Sequence, residues 1–268
     1  MKLNRAMNQK IYQVDAFASK LYEGNPAAVC VLDHWLSDET MQNIAMENNL
    51  AETAFLVESD HDSYCLRWFT PTIEVDLCGH ATLASAHILF SEYGYKKTLI
   101  KFETRSGVLS VQNIKNEKYL MDFPTDTPIQ ITDFDHITEA MNVNASACYK
   151  GKDDYLLILE NEQSVLDAQP DLRAMLNIKS RGVLLTAKGD EKDFVSRCFF
   201  PNAGVDEDPV TGSAHTLMVS YWAHRLLKNR LNARQISYRP GDIECIYKGD
   251  RIALIGKAKT YLKGMICV

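Results

Sequence analysis

The sequence lacks the features of proteins that bind nucleic acids or span membranes. No run of Lys or Arg exceeds two residues, and 29 Lys and Arg stand against 35 Asp and Glu in 268 residues, a formal net charge of −6. Such a balance repels a phosphate backbone unless the basic residues cluster. No stretch approaches the roughly 18 apolar residues that a membrane span needs, and the first ten residues are not followed by an apolar signal segment. We therefore expect a soluble, cytoplasmic protein with no nucleic-acid and no membrane partner.

Paired cysteines are missing as well. The seven cysteines are an odd number and include no C-x-x-C pair. This usage favours reduced thiols over a disulfide framework or a zinc site. With 46% hydrophobic residues, the chain is long enough for one large domain or two small ones. We expect no structural metal.

A ten-residue pattern occurs twice. Residues 67–76 and 197–206 both read R-x-F-x-P-x-x-x-V-D. Each copy precedes a glycine that opens an apolar, helix-like run, at Gly79 and at Gly212, and the second copy has three more residues between its Asp and its Gly. A duplication implies two similar lobes, and ligand pockets commonly form where lobes meet. The repeat predicts a cleft that draws on both copies.

Short β-rich runs outnumber helical runs and do not alternate with them one for one. This pattern favours an α+β arrangement over a doubly wound parallel sheet. Helices are predicted over 38–48, 79–93, 171–176 and 212–227. The second and fourth are apolar on nearly every face, which is typical of buried helices. We expect each lobe to wrap strands around one of them.

Polar residues gather where these two apolar helices begin. A helix N-terminus offers unpaired N–H groups and the positive end of the dipole, and glycine lets a ligand approach the backbone. Two such termini facing one cleft would hold a small anion. The residues concerned are Cys78, Gly79 and His80 in the first copy and Asp208, Thr211, Gly212 and Ser213 in the second.

Taken singly, the polar residues leave alternatives open. Glu52 precedes an apolar β-rich run, so it is either a surface loop residue or a carboxyl whose pKa an apolar site raises, suited to general acid–base catalysis. His80 is a proton carrier or a helix cap, and Asp208 and Ser213 could be caps and nothing more. Cys78 could be a thiolate stabilised by the helix N-terminus or a small buried hydrophobe.

Four segments occur in an order that marks a known family. They are EGNPAAV at 23–29, NLAETAF at 49–55, DLCGHATLA at 76–84 and DEDPVTGSAH at 206–215. Together they resemble the signatures of the phenazine-biosynthesis PhzF-like proteins. The resemblance runs from Asp15 to the GKA at 256–258, so it covers nearly all of the chain after its first ten residues.

The resemblance implies a fold and an assembly. The expected fold is diaminopimelate-epimerase-like: two similar α+β lobes, each a β-sheet wrapped around a central helix, with the active site in the cleft between them, commonly as a homodimer. The expected N-terminal lobe comprises residues 1–124 and 256–268, and the C-terminal lobe comprises 125–255. The last strand is expected to cross back and complete the first lobe.

The resemblance also implies a reaction. The best-known family member isomerises a dihydro-hydroxyanthranilate without a cofactor, so the expected activity is a cofactor-independent isomerisation of a small carboxylate-bearing substrate, without a metal. A carboxylate would remove a proton beside a conjugated system and return it elsewhere on the same face, if water is excluded. The implied catalytic residues are Glu52 as general acid/base with His80, Asp208 and Ser213, and the implied substrate-binding residues are Gly79, Gly212, Cys78 and Thr211.

Two other functions remain open at this stage. Two-base racemases of this fold use one cysteine in each repeat; Cys78 matches the first, but DPVT at 208–211 stands where the second thiol is needed, and no cysteine lies between Cys198 and Cys245. Racemisation by two thiols is therefore disfavoured. A ligand-binding or interaction protein without catalysis could keep the same polar residues. The substrate and the pathway, phenazine synthesis included, cannot be read from these motifs.

Overall fold

A computed structural model describes residues 8–59 and 63–268. The chain divides into two compact units. Unit 1 comprises Met1–Tyr22, Pro26–Met121 and Gly256–Val268, and unit 2 comprises Glu23–Asn25 and Asp122–Ile255. The lobe limits expected above stay a prediction. Among the described residues, no helix is long and apolar enough to cross a membrane.

Among the described residues, the first part of the chain carries eight strands and two helices. Strands β2 and β3 are parallel and joined by helix α1, β4 pairs antiparallel with β3 and with β5, and β4 and β6 are parallel and joined by α2. Strands β6, β7 and β8 follow as an antiparallel meander. The elements are β1 Asn8–Ala16, β2 Asn25–Leu32, α1 Asp38–Asn48, β3 Glu52–Glu58, β4 Ser63–Phe69, β5 Glu74–Val75, α2 Gly79–Ser91, β6 Leu99–Thr104, β7 Gly107–Asn113 and β8 Lys118–Pro124.

Unit 2 repeats this order. Strands β11 and β12 are parallel, β13 pairs antiparallel with β12 and β14, β13 and β15 are parallel and joined by α6, and β16 returns antiparallel to β15. The elements are β9 Ile129–Ile131, α3 Asp135–Met141, β10 Ala147–Lys150, β11 Asp154–Ile158, α4 Glu162–Leu166, α5 Leu172–Met175, β12 Gly182–Ala187, β13 Phe194–Phe200, β14 Val205–Asp208, α6 Gly212–Leu226, β15 Arg230–Gln235 and β16 Gly241–Tyr247.

The last strand, β17 Arg251–Cys267, serves both ends of the chain. Its first residues pair antiparallel with β16, from Ile252 to Ile255. Its later residues, from Ala258 onward, pair antiparallel with β1. The end of the chain therefore lies beside the first strand of unit 1.

The two long helices are buried, as their all-round apolar sequences predict. Ten of the thirteen residues of α2 and nine of the fifteen of α6 are buried. Helix α1 occupies the predicted range, and its N-cap Ser37 accepts a hydrogen bond from Thr40 N at 3.1 Å. The helices α3 and α4 were not predicted, and the helix predicted over 171–176 is a single turn, α5. Such short segments carry too few turns for a helical period to stand out.

Strand register corrects the alignment of the two sequence copies. Trp68 pairs with Val75 between β4 and β5, whereas Cys198 pairs with Asp208 between β13 and β14. Because Trp68 and Cys198 both directly follow the Arg of the pattern, Asp208 is the counterpart of Val75. The three extra residues of the second copy lie in the turn that contains the 3₁₀ helix Pro201–Ala203. The Val-Asp pairs of the two sequence copies, at 75–76 and 205–206, are therefore not equivalent in the structure.

The arginine of each copy makes the same contact. Arg67 donates from Nε and Nη2 to the two carboxylate oxygens of Glu74, at 2.7 and 2.8 Å. Arg197 binds Glu207 in the same two-pronged way, at 2.7 and 2.9 Å. The repeated Arg is therefore a clamp between paired strands, and both helices begin five residues after the clamped glutamate.

Candidate active site

In unit 1, Glu52, His80 and Cys78 form one group, which we call the acid–imidazole–thiol group. Glu52 is the first residue of β3, and its side chain is only 17% exposed, so it is not a surface loop residue. Its Oε2 lies 3.0 Å from Nε2 of His80, the second residue of α2. The other ring nitrogen, Nδ1, lies 3.5 Å from Sγ of Cys78, the N-cap of the same helix. The imidazole thus stands between a carboxylate and a thiol.

Electrostatics in this group favour a protonated imidazole beside a neutral thiol. Burial opposes the charge of His80, but its interactions with Cys78 and Glu52 outweigh the burial, so the pKa of His80 lies well above its usual value. Burial, with the charge of Glu52 adding to it, raises the pKa of Cys78 to about 11. The raised pKa of His80 therefore favours the imidazolium, and the raised pKa of Cys78 favours the protonated thiol.

The same three residues offer donor atoms that a metal ion could use. One donor atom from each lies within 4.8 Å of the others. However, His80 turns Nδ1 toward Cys78 and Nε2 toward Glu52, and one ion can bind only one nitrogen of a ring. The observed arrangement is a chain of polar contacts through the imidazole, which suits proton transfer better than it suits metal binding.

In unit 2, Asp208 is held on every side by short hydrogen bonds. Its Oδ1 accepts from Nδ2 of Asn25 at 2.7 Å, and its Oδ2 accepts from Oγ1 of Thr211 at 2.5 Å. Gln235 donates to the main-chain oxygen of Asp208 at 2.6 Å and accepts from the main-chain nitrogen of Thr211 at 2.8 Å. The cap of α6 is Thr211, whose side chain makes no hydrogen bond to the helix. Asp208 is therefore an oriented carboxylate and not the helix cap.

Ser213 lies at the first turn of α6 and contacts a cation. Its Oγ accepts from Nη1 of Arg181 at 3.2 Å. Arg181 is in turn paired with Asp154, which donates nothing and accepts from Nε at 2.9 Å and from Nη2. We call Asp208, Thr211, Ser213 and Arg181 the anion-binding candidate group. Gly212 opens the helix beside them, as Gly79 opens α2.

Four partners of the expected site residues were missed by sequence reasoning. Asn25 lies within the EGNPAAV segment, so that motif carried a signal for it. Gln235, Arg181 and Asp154 lie in no motif, and only the pairing of distant strands brings them to α6. The four are fixed by tertiary structure: Asn25 and Gln235 are fully buried, and Asp154 is 4% exposed.

Comparison with known proteins decides the family. The sequence matches the family described as phenazine biosynthesis-like protein (PhzC-PhzF) over residues 14–264. The chain belongs to this family. An uncharacterized isomerase of Pseudomonas aeruginosa is 48% identical to it over 97% of this chain and 99% of the relative. The PhzF-like resemblance drawn from the four segments is thus confirmed.

Solved structures confirm the fold of this PhzF-family chain. A phenazine biosynthesis protein of the PhzF family from Enterococcus faecalis superposes with a TM-score of 0.95 at 44% identity, covering 98% of this chain and 100% of that one. A hydroxyproline epimerase from Agrobacterium vitis, 10% identical over 100% of this chain and 94% of its own, has a TM-score of 0.63 and shows the fold alone. The expected α+β, epimerase-like fold is confirmed, and the relatives named isomerases support an isomerase-type enzyme.

Proposed function

We propose that this protein is a cofactor-independent isomerase in which Glu52 transfers a proton within a small carboxylate-bearing substrate. The observation that carries the proposal is the contact of Glu52 with His80, 3.0 Å, at the start of a buried helix. The anionic substrate, the catalytic roles and a homodimeric assembly are parts of this proposal.

The chemistry requires a base that can take a proton and return it. Glu52 lies 3.0 Å from the imidazole of His80, and its side chain is largely removed from solvent. A carboxylate in such surroundings can abstract a proton next to a conjugated system and deliver it to another carbon, because few waters compete for it. His80 stabilises negative charge on the carboxylate and on the substrate during the transfer.

The anion-binding candidate group of unit 2 supplies polar contacts rather than a second base. Asp208 is oriented by Asn25 and Thr211, so it can accept from a substrate amine or hydroxyl. Ser213 and the N–H groups that begin α2 and α6 at Gly79 and Gly212 suit a carboxylate.

Racemisation by two thiols has less support. The helix position of Cys78 in unit 1 is occupied in unit 2 by Thr211, since each is the N-cap of its helix. A threonine hydroxyl does not ionise near neutral pH, and its proton here goes to Asp208. The raised pKa of Cys78 keeps this thiol protonated near neutral pH.

The proposal is tested by solvent-exchange NMR. A panel of cyclic and acyclic carboxylates with a C–H beside a conjugated system is incubated with the protein in D₂O, and deuterium incorporation and double-bond migration are followed. At least one compound is expected to isomerise, and Glu52→Gln is expected to lower that rate by about 10²- to 10⁴-fold.

The matched control is Glu58→Gln, which changes an exposed glutamate at the other end of β3. It is expected to leave the rate unchanged. An isomerised compound whose rate survives in Glu52→Gln would contradict the role of Glu52. Binding of panel compounds without any exchange would instead identify a ligand-binding protein.

A further inference from the structure

The junction that holds Glu52 in unit 1 has a counterpart in unit 2 with different side chains. Glu52 begins β3 and pairs with Ala27, whereas Gly182 begins β12 and pairs with Asp154 in the same parallel register. Glu52 and Gly182 therefore occupy equivalent positions, each at the strand start beside the helix that follows two strands later.

Gly182 cannot carry the side chain that its equivalent carries. A Cβ there would stand 2.2 Å from the ring of Phe200 and 2.5 Å from the main-chain oxygen of Phe199. The residue immediately before it, Arg181, reaches α6 instead. It contacts Ser213, the second residue of α6, as Glu52 contacts His80, the second residue of α2. A carboxylate at one junction is thus replaced by a guanidinium at the other.

Asp154 fixes the guanidinium of Arg181. It takes hydrogen bonds from Nε and Nη2, and the guanidinium lies over the ring of Phe200, 5.2 Å from its centroid. Nε, Nη2 and one face of the guanidinium are therefore occupied, and Nη1 donates to Ser213. Burying a carboxylate as deeply as Asp154 is costly, which favours a role in orientation over a role in stability.

The contact with Arg181 decides what the hydroxyl of Ser213 can do. Since Arg181 only donates, the Ser213 oxygen is the acceptor of this bond. Its own proton is then available for another acceptor, and none of the described residues accepts it in a hydrogen bond. An anion placed at the start of α6 would be that acceptor.

We propose that Arg181 is the positioning residue that, locked by Asp154, makes Ser213 a hydrogen-bond donor to the carboxylate of the substrate. The proposal rests on the proposed function for the role of Ser213. It adds Arg181 and Asp154, which lie in no motif of the sequence, to the residues proposed to bind the substrate carboxylate. Charge attraction is the minor part of the effect, because the Asp154 carboxylate neutralises the guanidinium.

The test uses benzoate as a probe and measures its dissociation constant from the ¹⁵N shifts of the Gly212 and Ser213 amides. Ser213→Ala and Arg181→Met are each expected to weaken benzoate binding about tenfold. Ser213→Ala removes the hydroxyl that donates to the benzoate carboxylate, and Arg181→Met removes the group that orients this hydroxyl. The double variant is expected to be no weaker than either single one. Arg181→Lys is expected to resemble Arg181→Met, since an ammonium cannot hold the fork and Ser213 together. The exposed Arg173→Met is the matched control and is expected to bind normally.

Asp154→Asn separates positioning from charge. It removes a negative charge, so electrostatics alone predicts tighter benzoate binding. Loss of the paired hydrogen bonds between Asp154 and Arg181 predicts several-fold weaker binding instead. This variant also serves if Arg181→Met fails to fold, because it keeps Arg181. Any of four results would overturn the proposal: tighter benzoate binding in Asp154→Asn, additive effects of the two single variants, wild-type affinity in Arg181→Lys, or no saturable binding by the wild type. The exchange assay reports on Glu52, whereas the benzoate titration reports on Arg181 and Ser213, so failure of the isomerase proposal would show in the exchange assay alone.

Discussion

The two units share the same junction between a strand start and a helix start, but the side chains at this junction differ in chemistry. In unit 1 the start of β3 carries Glu52, which meets His80 on α2; in unit 2 the start of β12 is Gly182, and Arg181 meets Ser213 on α6. One junction holds an acid, an imidazole and a thiol, and the other holds a guanidinium, a hydroxyl and an oriented carboxylate. The difference teaches that a duplicated framework can keep its backbone geometry while its two copies carry different side chains, which under the proposed function serve proton transfer in one copy and binding in the other.

The largest expected difference between the junctions is catalytic. Glu52→Gln is expected to lower kcat by about 10²- to 10⁴-fold with little change in KM, because the amide keeps the shape of the side chain but cannot take a proton. Ser213→Ala is expected to raise KM about tenfold with a smaller loss of kcat, because it removes one hydrogen bond to a charged group. Steady-state kinetics on an isomerised compound measure both. Equal losses of kcat in the two variants would break the division between the junctions.

His80 of α2 and His215 of α6 should respond to pH in opposite directions. Burial lowers the pKa of His215 to about 4, below the unfolded value of about 6.5. Its neutral form therefore supports folding above pH 6.5, and this support is lost as the pH falls toward 4, by about 3 kcal/mol in total. The pKa of His80 is raised, so its contribution is full below pH 6.5 and is lost as the pH rises through its folded pKa.

Urea unfolding between pH 8 and pH 4 measures the effect of His215. The variant His215→Gln is expected to lose less stability than the wild type between pH 6.5 and pH 4. Parallel curves for the two proteins would contradict a buried, neutral His215.

The two arginine clamps should differ in what their loss costs. Arg197→Met leaves Glu207 without a cation among the described residues and frees three carbonyl oxygens that Arg197 also binds, those of Val165, Leu166 and Ala168. Arg67→Met is milder, because Glu74 keeps Arg105 as a second partner at 2.6 Å.

Chemical denaturation of both variants measures this asymmetry. We expect Arg197→Met to lower the free energy of unfolding by about 1–3 kcal/mol and Arg67→Met by about 1 kcal/mol or less. A larger loss of unfolding free energy in Arg67→Met than in Arg197→Met would contradict this asymmetry.

The sequence indicated the chemistry of unit 1 better than that of unit 2. Glu52, His80 and Cys78 all lie in recognisable segments, and local structure alone brings Cys78 and His80 together at the start of α2. The repeat correctly predicted two related units, but its Val-Asp half misled, because the turn before β14 is three residues longer and shifts the pairing. Arg181 and Asp154 could not be predicted, since they meet only through the parallel register of β11 and β12.

Buried polar partners were invisible for the same reason. Gln235 reads as one polar residue in the β15 segment, yet it holds both Asp208 and Thr211 through the pairing of β13 with β15. Helix periodicity predicted α1, α2 and α6, because each has at least three turns. It could not predict α4 or α3, whose five and seven residues are too few.

The smallest expected effect also provides the most direct test of the central claim. Cys78→Ser is expected to keep turnover largely intact, because the thiol is protonated near neutral pH and only contacts His80. If the thiol were the base, the same change would replace it with a hydroxyl that cannot ionise, and activity would collapse. The measurement is turnover of Cys78→Ser beside Glu52→Gln in one solvent-exchange assay. The account predicts a near-normal rate in the first and a loss of at least about 10²-fold in the second; loss in the cysteine variant with survival of the glutamate variant would contradict it.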